Sequence, residues 1–398
     1  MYRPHPLRSD APRRPRHRSW RTLAAVAVAM ALVVVAAGCV KQYKPTLHSW
    51  SLPAATVPGS VVASRAGLAS GVQVLWESDA EQNADFAAIA ASGAKWTTID
   101  IDWNSIQGDG RDSFRWDRAT DRVVLNARAH GLSIIGVASY APPWARVGGC
   151  SSGDEAHCLP ADPNAYGRFM MAAAARYGSR STNPLLRGAI TTWQIWNEAN
   201  HQEYTQPKPN LDVYTAMLKS SYVGIKALDP GATVIAGGFA PAPDAADGTE
   251  YQPATFLKGM YARGAKGYFD AIGHHPYAYP FNPLEPQSWN AYTQTIGLHT
   301  IMSEHGDGAK KVWGTEVGAP TGTDTKALTE AKQAQWVHDY YLGWNTAYRS
   351  FTGPLVWLSV RDAGTNRADQ GDNMGLTRHD WSHKLGFTTY QVLMRAGV

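Results

Sequence analysis

Two glutamates stand where short apolar runs give way to polar residues in this chain of 398 residues. One lies in Trp193-Gln194-Ile195-Trp196-Asn197-Glu198-Ala199-Asn200, the other in Val312-Trp313-Gly314-Thr315-Glu316-Val317-Gly318. A facing pair of carboxyl groups can work on an acetal. One attacks the anomeric carbon, while the other protonates the leaving oxygen and later takes a proton from water. A single exposed Glu at a helix start is ordinarily just a helix-end charge. Two of them, each closing an aromatic or β-branched run, ask for a common explanation. Further polar and aromatic residues cluster in the same kind of position: Trp103, Ala141-Pro142-Pro143-Trp144, His274-His275-Pro276-Tyr277 and Trp357. Trp103 and Trp144 have the flat faces that stack on sugars in outer subsites, or they cover the core. Asp100 and Asp102 alternate with Ile99 and Ile101 and share one strand face, a pattern that suits a structural hydrogen bond at the border of a site. Glu304, Asp307 and Asp362 fall in loop or helix-end contexts and are expected to be solvated.

The elements that must position these residues alternate regularly. Candidate strands are Gly71–Trp76, Trp96–Trp103, Leu132–Ser139, Ile190–Trp196, Thr233–Gly238, Phe269–His274, Lys311–Thr315 and Pro354–Ser359. Amphipathic helical patterns run between them, and one more follows the eighth. Eight βα units in order predict a single (β/α)8 TIM barrel over residues 71–398. An open doubly wound sheet would want a Gly-rich phosphate turn after its first strand, and Trp76-Glu77-Ser78 offers none. Barrel chemistry sits where strands end and βα loops begin. The fourth and seventh strands face each other across such a barrel, so Glu198 and Glu316 can meet over its mouth.

With that placement, Trp-Asn-Glu at the fourth strand and Thr-Glu-x-Gly at the seventh resemble clan A glycoside hydrolases. Most similar is the family 39-like group of β-xylosidases, iduronidases and exopolysaccharide hydrolases. The likeness includes Trp103-Asn104-Ser105-Ile106-Gln107. The resemblance implies a retaining O-glycosidase without a cofactor or metal, with Glu198 as acid/base and Glu316 as nucleophile. It implies that Asn197 bonds the sugar's 2-hydroxyl, that Tyr277 orients the nucleophile and that His275 helps bind the reacting sugar. Trp357 would be the floor beneath that sugar. Two residues depart from the pattern. Ala199 stands where relatives often have Pro, and Thr98 where many have an Arg that supports the nucleophile. A non-catalytic carbohydrate-binding protein and a transglycosidase use the same features and are the alternatives.

The charge is unevenly spread. Residues 1–21 hold seven Arg and one Asp, an excess of six against +4 for the whole chain, so the remainder sums to −2. The body gives no electrostatic case for nucleic acid. The apolar run Leu23–Ala37 follows the basic stretch and is short for a membrane span. Ala36-Ala37-Gly38-Cys39 resembles a bacterial lipobox, which predicts a signal peptide over 1–38, lipidation at Cys39 and a membrane-anchored exported protein. Cleaved soluble export and an uncleaved anchor are the alternatives. Residues 39–70, with Pro45, Pro53 and Pro58, suit a tether. The other two cysteines, Cys150 and Cys158, share one Gly/Ser-rich loop and predict a local disulfide. The oligomeric state is open, and the expected partner is a carbohydrate.

Overall fold

The computed structural model describes residues 62–118, 120–150 and 157–396. The leader, Cys39 and most of the expected tether lie outside them. Eight parallel strands close into a barrel in sequence order. They are β1 (Ala66–Ala69), β2 (Trp96–Asp102), β3 (Ser133–Ser139), β4 (Thr192–Ile195), β5 (Thr233–Phe239), β6 (Ala271–His274), β7 (Lys311–Val317) and β8 (Thr352–Leu358). The long helices are α1 (Asp79–Ser92), α2 (Thr120–Ala129), α3 (Pro163–Tyr177), α4 (Leu211–Leu228), α5 (Pro253–Ala262), α6 (Ala291–Glu304), α7 (Glu330–Asn345) and α8 (Leu385–Ala396). The (β/α)8 expectation holds. Its first strand does not: Val72–Trp76 forms a 3-10 turn, and the strand is the preceding Ala66–Ala69, inside the span expected to be tether. β1 is fixed by pairing with β8, Ala66 opposite Leu355 through Ala69 opposite Leu358.

The barrel separates two apolar layers, as period-2 alternation requires. The lumen holds Ala69, Ile135, Val137, Ile235, Ala271 and Val356, flanked by Trp96, Trp313 and Leu358. Trp96 and Trp313 meet edge to face at 5.3 Å. A larger layer between strands and helices holds most of the aromatics. Local chemistry starts the helices. Ser78 and Glu81 form a reciprocal capping box on α1, and Asn210 and Asn290 cap α4 and α6. Each such cap is worth about 1 kcal/mol. Pro163 and Pro253 occupy first-turn positions, where the missing N–H costs nothing.

Candidate active site

The turn after β4 carries Glu198 in a left-handed backbone conformation, φ +48°, two residues beyond Trp196 at φ +64°. Non-glycine residues adopt this region only when their surroundings over-determine it. Here the Trp196 N–H donates to Ala138 O at 3.0 Å and lies 3.1 Å from the Tyr166 hydroxyl oxygen. Its indole N–H donates to Tyr204 O at 2.8 Å, and the Glu198 N–H donates to Gly238 O at 3.0 Å. The strained turn aims the Glu198 carboxyl over the barrel mouth.

There it meets β6 and β7. His274 and His275 point to opposite faces, as neighbours at a strand end do. His274 turns outward, its Nε2 lying 2.9 Å from Ala291 O, and burial lowers its pKa to about 4. His275 turns inward, and its Nδ1 lies 2.8 Å from Glu198 Oε1 and 4.0 Å from Glu316 Oε1. The Tyr277 hydroxyl donates to Glu316 Oε1 at 2.6 Å. One ligating atom each from Glu198, His275 and Glu316 lies within 4.8 Å of the others. The three could surround a cation in principle. However, both carboxylates already face neutral or cationic hydrogen-bonding groups, Tyr277 on one and His275 on the other.

Burial pushes the Glu316 carboxyl above the usual carboxylate range. His275 and the Tyr277 hydrogen bond oppose that rise, and Glu198 adds to it. For His275 burial acts downward, but Glu316 and the bond to Glu198 outweigh it and the imidazole ends above its ordinary value. The lumen-facing row of β2 runs Trp96, Thr98, Asp100, Asp102. No guanidinium rises from Thr98. Asp100 lies beneath the site, its carboxyl pushed up to about 7 by burial, then by Asp102 and Glu316. Asp102 caps a one-turn helix, accepting from Ser105 N–H at 3.0 Å, which is a structural use.

Asn197 is half-buried beside Glu198, with Gln194 donating to its Oδ1 at 3.3 Å. Of the three tryptophans, Trp357 and Trp103 lie in the layer between strands and helices. Trp357 is fully buried and packs on Tyr340 of α7, while its neighbours Val356 and Leu358 face the lumen. It is therefore not a floor for a sugar, and the half-buried Leu358 holds that lumen-facing position. Trp103 is also fully buried, stacked on Phe169 with its N–H on Gln107 Oε1 at 2.6 Å, so it offers no face. Trp144 is half-buried, with the Arg111 guanidinium 5.4 Å above its ring. His275, nearly without exposure, is held on Glu198 rather than presented to a sugar. Asp307 and Asp362, expected to be solvated, are buried. The first accepts from the Tyr261 hydroxyl at 2.9 Å, and the second pairs with Lys384 at 2.7 Å.

Cys150 and Cys158 are bonded. The bond holds a loop whose His157 ring stacks between Tyr140 and Tyr204 at 5.4 and 5.1 Å. Tyr204 lies within electrostatic reach of both catalytic candidates. Gly238 was not anticipated. A Cβ there would stand 2.5 Å from Gln194 Nε2 and 2.7 Å from His275 Nε2, so glycine lets the imidazole lie against β5. The Gly237-Gly238 pair inside a strand was the available sign.

No family model matches the sequence, and no curated protein does. Solved structures do. A family 39 glycoside hydrolase from Bacteroides cellulosilyticus WH2 superposes with a TM-score of 0.63 at 18% identity, covering 85% of this chain and 64% of that one. This chain thus spans under two thirds of that enzyme's length. A monomeric β-xylosidase from Caulobacter crescentus CB15 gives 0.62 at 13% identity, over 84% and 68% of the two chains. A GH5_18 protein from Streptomyces cattleya in complex with GlcNAc gives 0.58 at 16%, over 84% and 81%. The motif likeness to family 39 is matched by a likeness of fold.

Proposed function

We propose that the chain is a retaining glycoside hydrolase acting on an extracellular or cell-wall glycan. The observation that carries this reading is the approach of Glu198 and Glu316 across the mouth, with carboxylate oxygens within 4.8 Å. Retaining enzymes hold their two carboxyl groups about 5–5.5 Å apart, whereas inverting enzymes leave about 6.5–9.5 Å for a water. The β-xylosidase and glycoside hydrolase neighbours support the same assignment.

Glu316 is the nucleophile. Its side chain is the more open of the two, at 30% against 11% exposure, and Tyr277 fixes the oxygen that accepts its hydroxyl proton. Glu198, aimed by its left-handed turn, protonates the leaving oxygen and then activates water. Asn197 beside it holds the sugar's 2-hydroxyl. Glu198→Gln should lower turnover of unactivated glycosides by about 10²- to 10⁴-fold while sparing activated aryl glycosides. Glu316→Ala should abolish turnover, and added azide should restore an inverted glycosyl azide. Equal loss on both substrate types for the first variant, or ordinary activity in the second, would contradict the roles.

Thr98 favours a second reading, a carbohydrate-binding protein without turnover, and glycan binding with no hydrolysis by concentrated wild type would establish it. Transglycosylation is separated by product analysis. Export with a lipid on Cys39 would place the barrel beside wall and capsule polymers. Cys39→Ser should then move the protein from the membrane fraction to the medium.

A further inference from the structure

His275 is the only basic side chain within 4.0 Å of either carboxylate among the described residues. It is 1% exposed and has little freedom to turn away. Its Nε2 edge rests against β5 so closely that a Cβ on Gly238 would reach 2.7 Å from it. Its Nδ1 faces Glu198 Oε1 at 2.8 Å, a distance at which nitrogen and oxygen share one proton.

We propose that the general acid is the Glu198–His275 pair rather than Glu198 alone, one proton shared between Oε1 and Nδ1 being the one that the leaving oxygen receives. This rests on the retaining reading above. In the first step that proton moves to the glycosidic oxygen. The bond from the anomeric carbon to that oxygen breaks, its electron pair staying on the oxygen, and a Glu316 oxygen bonds the anomeric carbon. In the second step a water O–H breaks and its proton returns to the pair. The water oxygen bonds the anomeric carbon, and Glu316 leaves with its electron pair.

The charge balance favours each transfer. While Glu316 is an anion, 4.0 Å from Nδ1, it favours keeping the proton on the pair. Once Glu316 is bonded to the sugar that attraction is gone and the pair gives up its proton more readily. The other groups facing the imidazole add no countercharge. Tyr277 is on the same strand end, its phenol pushed far up by burial and by Glu316, and His274 is neutral and turned toward α6. Asp100, the next acid below, interacts with Asp102 and Glu316 and not with the imidazole.

The test is His275→Gln in the full chain, assayed against aryl glycosides running from dinitrophenyl to phenyl. The sugar is whichever of β-xylose, β-glucose or α-arabinose the wild type cleaves. The pair predicts that the dinitrophenyl substrate keeps kcat/KM within about fivefold while the phenyl substrate falls about 10²-fold. The alkaline limb of the phenyl profile should drop by about one pH unit or more, since the titrating partner nearest neutrality is gone. Equal losses on both substrates with an unmoved limb would make His275 a binding or packing residue and overturn the proposal. If the variant does not fold, ¹⁵N-imidazole NMR of the wild type and of Glu198→Gln decides. Nδ1 of His275 should stay protonated above pH 6.5 in the first and titrate lower in the second, and identical titrations refute the pair. A wild type that cleaves no aryl glycoside fails the hydrolase reading itself, and this inference with it.

Discussion

The hydroxyl of Tyr277 makes one 2.6 Å hydrogen bond, to Glu316 Oε1. A hydrogen bond to a charged group is worth about 1.5–3 kcal/mol. Tyr277→Phe keeps the ring and removes only that bond, so kcat/KM should fall about 10- to 100-fold with an unchanged thermal midpoint. Steady-state kinetics beside a melting curve check it. A loss confined to KM would mean the hydroxyl serves the sugar instead. At this scale the sequence spoke through residue type more than through direction. Two strand-end glutamates and the Tyr were readable because their chemistry is rare in such positions. Trp357 misled because strand faces alternate with period 2: a one-residue error in register moves a side chain from lumen to helix layer. Leu358, aliphatic and unremarkable in sequence, took the inward place. The contact of His275 with Glu198 joins residues 77 positions apart, which no local pattern reports.

Among the elements, the loop between β3 and α3 packs against Tyr204, which lies near both glutamates. It carries His157 between the rings of Tyr140 and Tyr204, and the Cys150–Cys158 bond closes it. Opening so short a loop restores about 2–3 kcal/mol of unfolded-chain entropy. The paired variant Cys150→Ser/Cys158→Ser should therefore melt earlier. Its KM should rise several-fold while kcat is kept, because His157 loses its hold on Tyr204, which lies near both glutamates, but the carboxylates do not move. An unchanged KM would show that the loop is only a staple. The disulfide was legible from two cysteines in one loop, and the packing of His157 against Tyr140 and Tyr204 was not. Seven strands were legible from β-branched and aromatic runs. β1 was missed because Ala-Gly-Leu-Ala carries no such bias, while the richer Val72–Trp76 folds into a tight turn. Pairing with β8 decides β1, not propensity.

For the whole molecule, the seam between β1 and β8 is tied by a buried charge cluster. Arg361, after β8, reaches Glu77 at 2.6 Å and Asp85 of α1 at 3.3 Å, under the ring of Trp381. Burial first, and Glu77 next, hold the Asp85 carboxyl up at about 8 against the pull of Arg361. The unfolded chain releases that proton near the ordinary value of about 3.9. Between those values the folded chain binds the more protons, so the group's contribution to stability declines as pH rises from about 4 to 8. Asp85→Asn should remove that slope, giving a higher thermal midpoint than wild type at pH 8 and an equal one near pH 4. Midpoints measured across that range decide it, and a variant that is weaker at pH 8 would mean that an ionised Asp85 pairs with Arg361.

That seam also sets an order of events during synthesis. Arg65 beside β1 bonds Thr352 of β8 across 287 residues of chain, and β1 has no second neighbour until β8 exists. A nascent polypeptide emerging from the ribosome presents its first strand with one open edge until β8 has been made. Any pause before β8 lengthens the interval in which that edge can pair with another chain instead of its own.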